Sequence, residues 1–128
     1  MKPSVFRHKQ LPLQKLGEGV HLKILADSVT GAKNLAMGWI RFRPASKSSM
    51  HSRDVEEFIY VIKGEATVML ESGEEYKLRA GDMIHIPPGV THQHQNNTDS
   101  DAEQIYIFAP QGPEKSLRDL PITEDDSI

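Results

Sequence analysis

An all-β sandwich or barrel is the fold class that this 128-residue sequence predicts, and three observations point to it. Short apolar or alternating runs recur between residues 21 and 110, with turn-favouring clusters between them roughly every ten residues, which is the pattern of many short strands. No stretch holds apolar residues at i, i+3, i+4 and i+7 for more than about two turns, so a long amphipathic helix is excluded. The length suits one domain, which at this size buries roughly two-thirds of the surface its unfolded chain exposes.

Residues 1–20 are polar and punctuated by Pro3, Pro12, Gly17 and Gly19. They read as an N-terminal arm that packs on the body or on a neighbouring subunit. The barrel follows over 21–110, with strands predicted at 21–25, 35–43, 57–63, 66–71, 75–79, 83–86, 92–96 and 104–108. Turn chemistry separates them at Asp27-Ser28-Val29-Thr30-Gly31, Lys63-Gly64, Ser72-Gly73, Ala80-Gly81-Asp82, Pro87-Pro88-Gly89 and Asn96-Asn97-Thr98-Asp99. Residues 111–128 form a short charged C-terminal tail, with one helical turn expected over 116–120 and fraying expected at Glu124-Asp125-Asp126.

Fifteen basic and eighteen acidic side chains leave a formal net charge of −3. Nucleic-acid binding calls for a basic face, and the nearest group, Arg41, Arg43 and Lys47, reads as a solvated strand edge; no nucleic-acid partner is expected. No apolar run approaches the roughly 20 residues that span a bilayer, so no membrane partner is expected either. The opening residues are too polar for a signal peptide, and a cytoplasmic location is the expectation. Position two is Lys2, and there is no cysteine, which argues against lipidation. The lack of cysteine also removes disulfides, thiolate nucleophiles and Cys-ligated zinc.

Four of the six histidines fall between residues 51 and 94: His51, His85, His92 and His94. On a regular strand, residues of equal parity share a face. His51, Arg53, Val55, Glu57, Ile59 and Val61 share one parity, and His92, His94 and Asn96 share theirs on a later strand. If both faces point into one barrel, two or three imidazoles and a carboxylate converge in an apolar interior. Such burial without partners is costly. A bound cation resolves it, because neutral imidazole with carboxylate suits first-row divalent metals. His85 and Glu56 fall on the outward parity, Asn96 reads as a turn-holding residue, and the aromatics Trp39, Phe58, Tyr60, Tyr76, Tyr106 and Phe108 read as core or subunit contacts first.

The segment from Gly81 to Asn96 resembles the second cupin motif, G-x5-P-x-G-x2-H-x3-N, at Gly81, Pro87, Gly89, His92 and Asn96. With residue frequencies on the order of 5%, five matches at set spacing arise by chance in roughly one such chain in ten thousand or fewer. The first motif, G-x5-H-x-H-x3–4-E-x6-G, is met in part: His51, Glu57 and Gly64 match, Ala45 stands where the family usually has Gly, and Arg53 stands where it has its second His. The two motifs and the span between them cover residues 46 to 96.

This resemblance to the cupin superfamily implies a double-stranded β-helix, a small jelly-roll barrel, with a metal between the two motifs. Carried over by position, the ligands are His51, Glu57 and His92, and the usual fourth ligand is missing. Two His and one carboxylate leave positions open for water, substrate or dioxygen, and Fe, Mn, Ni and Zn all remain open as the divalent ion. A guanidinium cannot ligate a cation, which leaves three readings of Arg53. It turns away through a bulge, or it points inward and clamps an anionic substrate, or it pairs with Glu56 or Glu57 in a barrel that has lost its metal. His94 substitutes as a ligand or lines the pocket beside the ligands. With Arg53 it is the candidate for substrate orientation and proton transfer.

The resulting expectation is a metal-dependent cupin acting on a small molecule inside the barrel, an anionic one if Arg53 is its clamp, with oxygenase- or lyase-type chemistry favoured over isomerase chemistry by the open positions. The alternative is a non-catalytic small-molecule-binding or sensor cupin, with or without metal, because this fold hosts many functions. A homodimer is expected, since the arm needs a surface to pack on and symmetric dimers are the commonest oligomers.

Overall fold

The structure, a computed structural model, describes residues 2–124; Asp125 and Asp126, where fraying is expected, lie outside them. In chain order the elements are β1 (Leu13–Gly17), β2 (Val20–Ala26), β3 (Ala36–Phe42), β4 (Glu56–Lys63), β5 (Glu65–Leu70), β6 (Glu75–Arg79), β7 (Met83–Ile86), β8 (His92–Gln95), β9 (Ala102–Ala109), α1 (Glu114–Leu117) and β10 (Ile122–Thr123), with a 3-10 turn at His8–Gln10 before them. The strands form two antiparallel sheets, one in the order β10-β1-β2-β3-β9-β4-β7 and a smaller one in the order β6-β5-β8. This is the all-β jelly-roll architecture that the strand spacing and the motifs predict. No helix among the described residues is long and apolar enough to cross a membrane.

Alternation decides what each strand buries. In β9, Ala102, Gln104, Tyr106 and Phe108 are buried while their neighbours are half-exposed, and β8 buries His92 and His94 in the same way. The main core joins Leu22, Ile24, Ile40, Phe42, Ile59, Tyr106 and Phe108 with Leu117 of α1. A second cluster, Val61, Ala66, Val68, Leu78 and Ile86, sits between the small sheet and β4–β7. Two glycines fix close approaches. A Cβ on Gly38 would lie 2.1 Å from the Tyr106 hydroxyl, so the ring approaches the β3 backbone this closely only because no side chain is there. A Cβ on Gly64 would lie 2.3 Å from the Asp101 carbonyl oxygen, which explains the motif glycine at the turn between β4 and β5.

The segments set apart as arm (1–20) and tail (111–128) both contribute strands to the large sheet. β1 pairs with β2 and with β10. Its period is hidden because a bulge shifts the register between Lys15 and Gly17 and because the buried place belongs to Gln14. That carboxamide donates to the Leu117, Arg118 and Leu120 carbonyls at 2.7, 3.1 and 3.2 Å, tying the C-terminal segment to the barrel. Two-residue β10 is too short to show a period. The helical turn starts two residues earlier than expected, directly after Pro113, whose fixed φ suits a helix start.

Arg41 departs from the solvated-edge reading: it is 2% exposed, with Nη2 3.2 Å from His21 Nδ1. The N-terminal stretch lies against neighbouring residues of β2 and β3. His8 stands edge-on to Trp39 with ring centroids 4.8 Å apart, and Lys23 donates to the His8 carbonyl.

Ala45 explains the remaining gap in the first motif. Its φ is +62°, and among the described residues it is the one non-glycine in the left-handed region. The backbone there turns so that Ser46 N and Oγ both donate to the Arg43 carbonyl, a conformation that favours glycine.

Candidate metal centre

The two motifs meet through their backbones. Residues 46–51 run antiparallel to β8, with bridges at Lys47–Gln95 and His51–His92. His51 N donates to the His92 carbonyl at 2.9 Å, and the His51 carbonyl accepts from His92 N at 2.8 Å. Ser48 N donates to the His94 carbonyl, while Ser48 Oγ accepts from His94 N at 3.0 Å. Asn96 anchors the end of this pairing. It is fully buried, its side-chain amide donates to the Phe42 and Ser100 carbonyls, and its carbonyl accepts from Thr98, which is the turn-holding role expected of it.

This pairing stacks the imidazoles. The His51 and His92 ring centroids are 4.6 Å apart, and those of His92 and His94 4.9 Å. Glu57, near the start of β4, comes in from the large sheet, with Oε2 2.8 Å from His94 Nε2 and 3.5 Å from His92 Nε2. One potential ligand atom from each of His51, Glu57, His92 and His94 lies within 4.8 Å of all the others. Ligands on opposite sides of a first-row ion, each about 2.1 Å from it, stand roughly 4.2 Å apart, so the present spacing is close to that of a ligand cage.

The hydrogen bonding also fits an ion. His51 Nδ1 donates to the Ser49 carbonyl at 3.0 Å and His92 Nδ1 to the Val90 carbonyl at 2.8 Å. Both rings therefore turn Nε2, with its lone pair, toward the centre, the arrangement that orients metal-binding histidines. Those two Nε2 atoms and Glu57 Oε1 are buried without a hydrogen-bond partner. Orphaned buried polar atoms are costly, and a divalent transition ion would satisfy all three.

The electrostatics of His51 and Glu57 point the same way, whereas those of His92 favour its protonated form, which an ion would have to displace. Burial, then the charge of Arg53 and of the neighbouring histidines, pushes the His51 imidazole down to about 4, which keeps it neutral and able to ligate. Burial alone would raise the Glu57 carboxyl, but the His92 and His94 imidazoles outweigh it and hold that carboxyl well below the usual carboxylate range. Burial likewise opposes protonation of His92, yet the Glu57 carboxylate and the Val90 carbonyl draw it upward.

Arg53 points inward. Its Nε lies 3.7 Å from Glu57 Oε1, its guanidinium carbon is 5.1 Å from the Phe108 ring centroid, and about a quarter of its side chain is exposed. It reaches this place from the irregular stretch between the His51 bridge and the start of β4. A cavity of about 40 Å³ adjoins the cluster, walled by Leu22, Ile40, Phe42, Ile59 and Phe108 and touched by His51, Glu57, His94 and Arg53. A second space of about 200 Å³ adjoins it, and Leu16, Ser48, His51 and Arg53 line both.

All five residues singled out by sequence thus stand together. His51, Glu57 and His92 form the cluster, His94 lies inside it rather than beside it, and Arg53 is at its mouth. His85 is elsewhere, on the outer face, where it meets Glu56 at 2.8 Å and stacks on Phe58. Sequence reasoning passes over Gln104. It lines the cavity 1% exposed, and its Oε1 has no hydrogen-bond partner. The available signal was a polar residue at the inward parity of the strand carrying Tyr106 and Phe108.

Comparison with known proteins agrees with this geometry. A family model described as "Cupin domain" matches residues 38–108. The polyketide synthase CurC of Streptomyces cyaneus is 31% identical over 118 residues, covering 91% of this chain and 76% of that protein. The 3-hydroxyanthranilate 3,4-dioxygenase of Cupriavidus pinatubonensis is 37% identical over 73 residues, which is 54% of this chain but only 39% of the dioxygenase. Among solved structures, KdgF from a Halomonas species superposes with a TM-score of 0.77 at 23% identity, covering 89% of this chain and 99% of that one, which is a likeness of fold.

Proposed function

The chain belongs to the cupin domain family, and on that premise we propose that it is a metal-dependent protein acting on a small molecule in its barrel. The observation that carries the reading is the set of orphaned atoms: His51 Nε2, His92 Nε2 and Glu57 Oε1 converge, buried, without a hydrogen-bond partner. His51, Glu57 and His92 hold the ion, and His94 supplies the fourth ligand from the second motif, standing in for the histidine that Arg53 replaces in the first. A divalent transition ion there supplies Lewis acidity and leaves open positions for a substrate oxygen or for water.

The chain's own residues do the rest. The Ser49 and Val90 carbonyls fix the tautomers of His51 and His92. The apolar walls keep bulk water from the cluster, which strengthens every charge interaction inside. Arg53, permanently protonated, holds an anionic group at the mouth. Oxygenase- or lyase-type chemistry is the reaction class favoured, the oxygenase reading being in keeping with the similarity to a 3-hydroxyanthranilate 3,4-dioxygenase.

Metal analysis of untagged protein, purified without added metal, tests this. The expected result is about one transition ion per chain, lost on substituting His51 or His92 by Ala. Less than about a tenth of an equivalent, with no uptake on addition, overturns the reading. Loss of turnover in the same variants marks an enzyme, whereas weakened binding without any turnover in the parent protein marks a sensor.

A further inference from the structure

Three features beyond the metal cluster constrain what the site takes, and they rest on the reading just given. The first is size. A cavity of about 40 Å³ holds about three water-sized groups, at roughly 10–15 Å³ each, so a ligand places only a compact head there and the rest of it lies in the adjoining cleft. Leu16, Val20, Lys47, Ser48 and Ser49 line that cleft.

The second is charge. Arg53 Nε is buried without a hydrogen-bond partner, and its ion-pair contact is the 3.7 Å approach to Glu57 Oε1, longer than a good charge-assisted hydrogen bond. Glu57 Oε2 meanwhile faces His94 and His92. Arg53 thus stands directly beside a member of the cluster, and it lines the same cavity as His51 and His94. A ligand that serves both carries an anionic group next to a second oxygen.

The third is the carboxamide of Gln104. It is buried at the cavity wall with Oε1 unbonded, and an amide accepts from a hydroxyl or, turned over, donates to a carbonyl. An apolar ligand would leave it orphaned at a cost.

We propose that the site is selective for hydroxy or oxo acids, with the carboxylate on Arg53, the adjacent oxygen toward the metal cluster and Gln104, and an apolar body in the cleft beside Leu16. Arg53 and Gln104 are the residues that set this specificity. Neither is a metal ligand.

Calorimetric titration of zinc-loaded protein with α-hydroxyhexanoate, hexanoate and α-hydroxyhexanamide tests it with no need for turnover. The hydroxy acid is expected to bind at least about tenfold more tightly than either comparator, since a charge-assisted hydrogen bond is roughly twice as strong as a neutral one. Arg53→Gln is expected to erase the preference over the amide, and Gln104→Leu to reduce the preference over hexanoate to the part that the metal cluster supplies. Equal binding of all three ligands, or no binding by protein that holds its zinc, overturns the proposal while leaving the metal reading intact. If the protein takes up no zinc, it is the metal reading that fails. The series is then titrated on metal-free protein, where Arg53 still requires the acid to outbind its amide and equal binding overturns that assignment.

Discussion

His94 Nε2 lies 2.8 Å from Glu57 Oε2, a contact between residues 37 positions apart that joins the small sheet to the large one at the centre of the barrel. It places a histidine from the second motif against the carboxylate of the first, next to the position where Arg53 replaces the family's usual ligand. His94→Ala is therefore expected to lower zinc or nickel affinity by more than about a hundredfold, because losing even an outer partner of a metal ligand costs about 10–100-fold. Competition against a chelator of known affinity measures this. Unchanged affinity would move His94 out of the ligand set.

The pH dependence of metal-free stability follows from His51. The fold holds this imidazole down to about 4, against 6.5 unfolded, so the unfolded chain takes up the proton first as pH falls. Its contribution is fully present above about pH 6.5 and is lost progressively between pH 6.5 and 4. His92 shifts the opposite way, and its contribution fades as pH rises. His51→Gln is expected to flatten the loss of unfolding free energy on the acid side, read from denaturant melts across that window. An unaltered slope would contradict the assignment.

Ala45→Gly is expected to stabilise the protein. The residue sits at φ +62°, where an L side chain costs about 1–2 kcal/mol, partly offset by the freedom glycine gains in the unfolded chain. A net gain of about 0.5–1 kcal/mol should appear as a higher unfolding midpoint with an unchanged denaturant slope. A lower midpoint would mean that the methyl group makes contacts worth more than the strain.

Gly38→Ala is expected to destabilise, because the added Cβ would lie 2.1 Å from the Tyr106 ring and hydroxyl. Overpacking of this kind costs about 1–3 kcal/mol. Adding Tyr106→Leu to the Ala variant should recover part of the loss, while the same change alone should lower stability by opening a cavity. Simple additivity of the two changes in thermal melts would show that no clash is present.

Much of this was legible in the sequence, for identifiable reasons. His92, His94 and Asn96 alternate on a strand whose period is regular, so parity alone aims both imidazoles inward, as β8 does. His51 and Glu57 matched a motif whose spacing is fixed by the bridge to His92 and the start of β4. What stayed hidden depended on contacts across the chain. β1 carries a bulge and buries a glutamine whose partners are carbonyls more than a hundred residues away. The burial of Arg41 beside His21 of the neighbouring strand depends on cross-strand pairing that the short basic cluster does not show. The direction of Arg53 is set in an irregular segment where parity has no force, and it is Phe108 and Glu57 that hold the side chain inward.

The most direct measurement is anomalous scattering from crystals of natively metallated protein, collected on either side of the absorption edge of the ion present. A single peak within about 2.0–2.3 Å of the Nε2 atoms of His51 and His92 and of a Glu57 oxygen is the expected result. Ordered protein with no peak between these residues, or a peak held elsewhere on the chain, would contradict the metal centre and the function built on it.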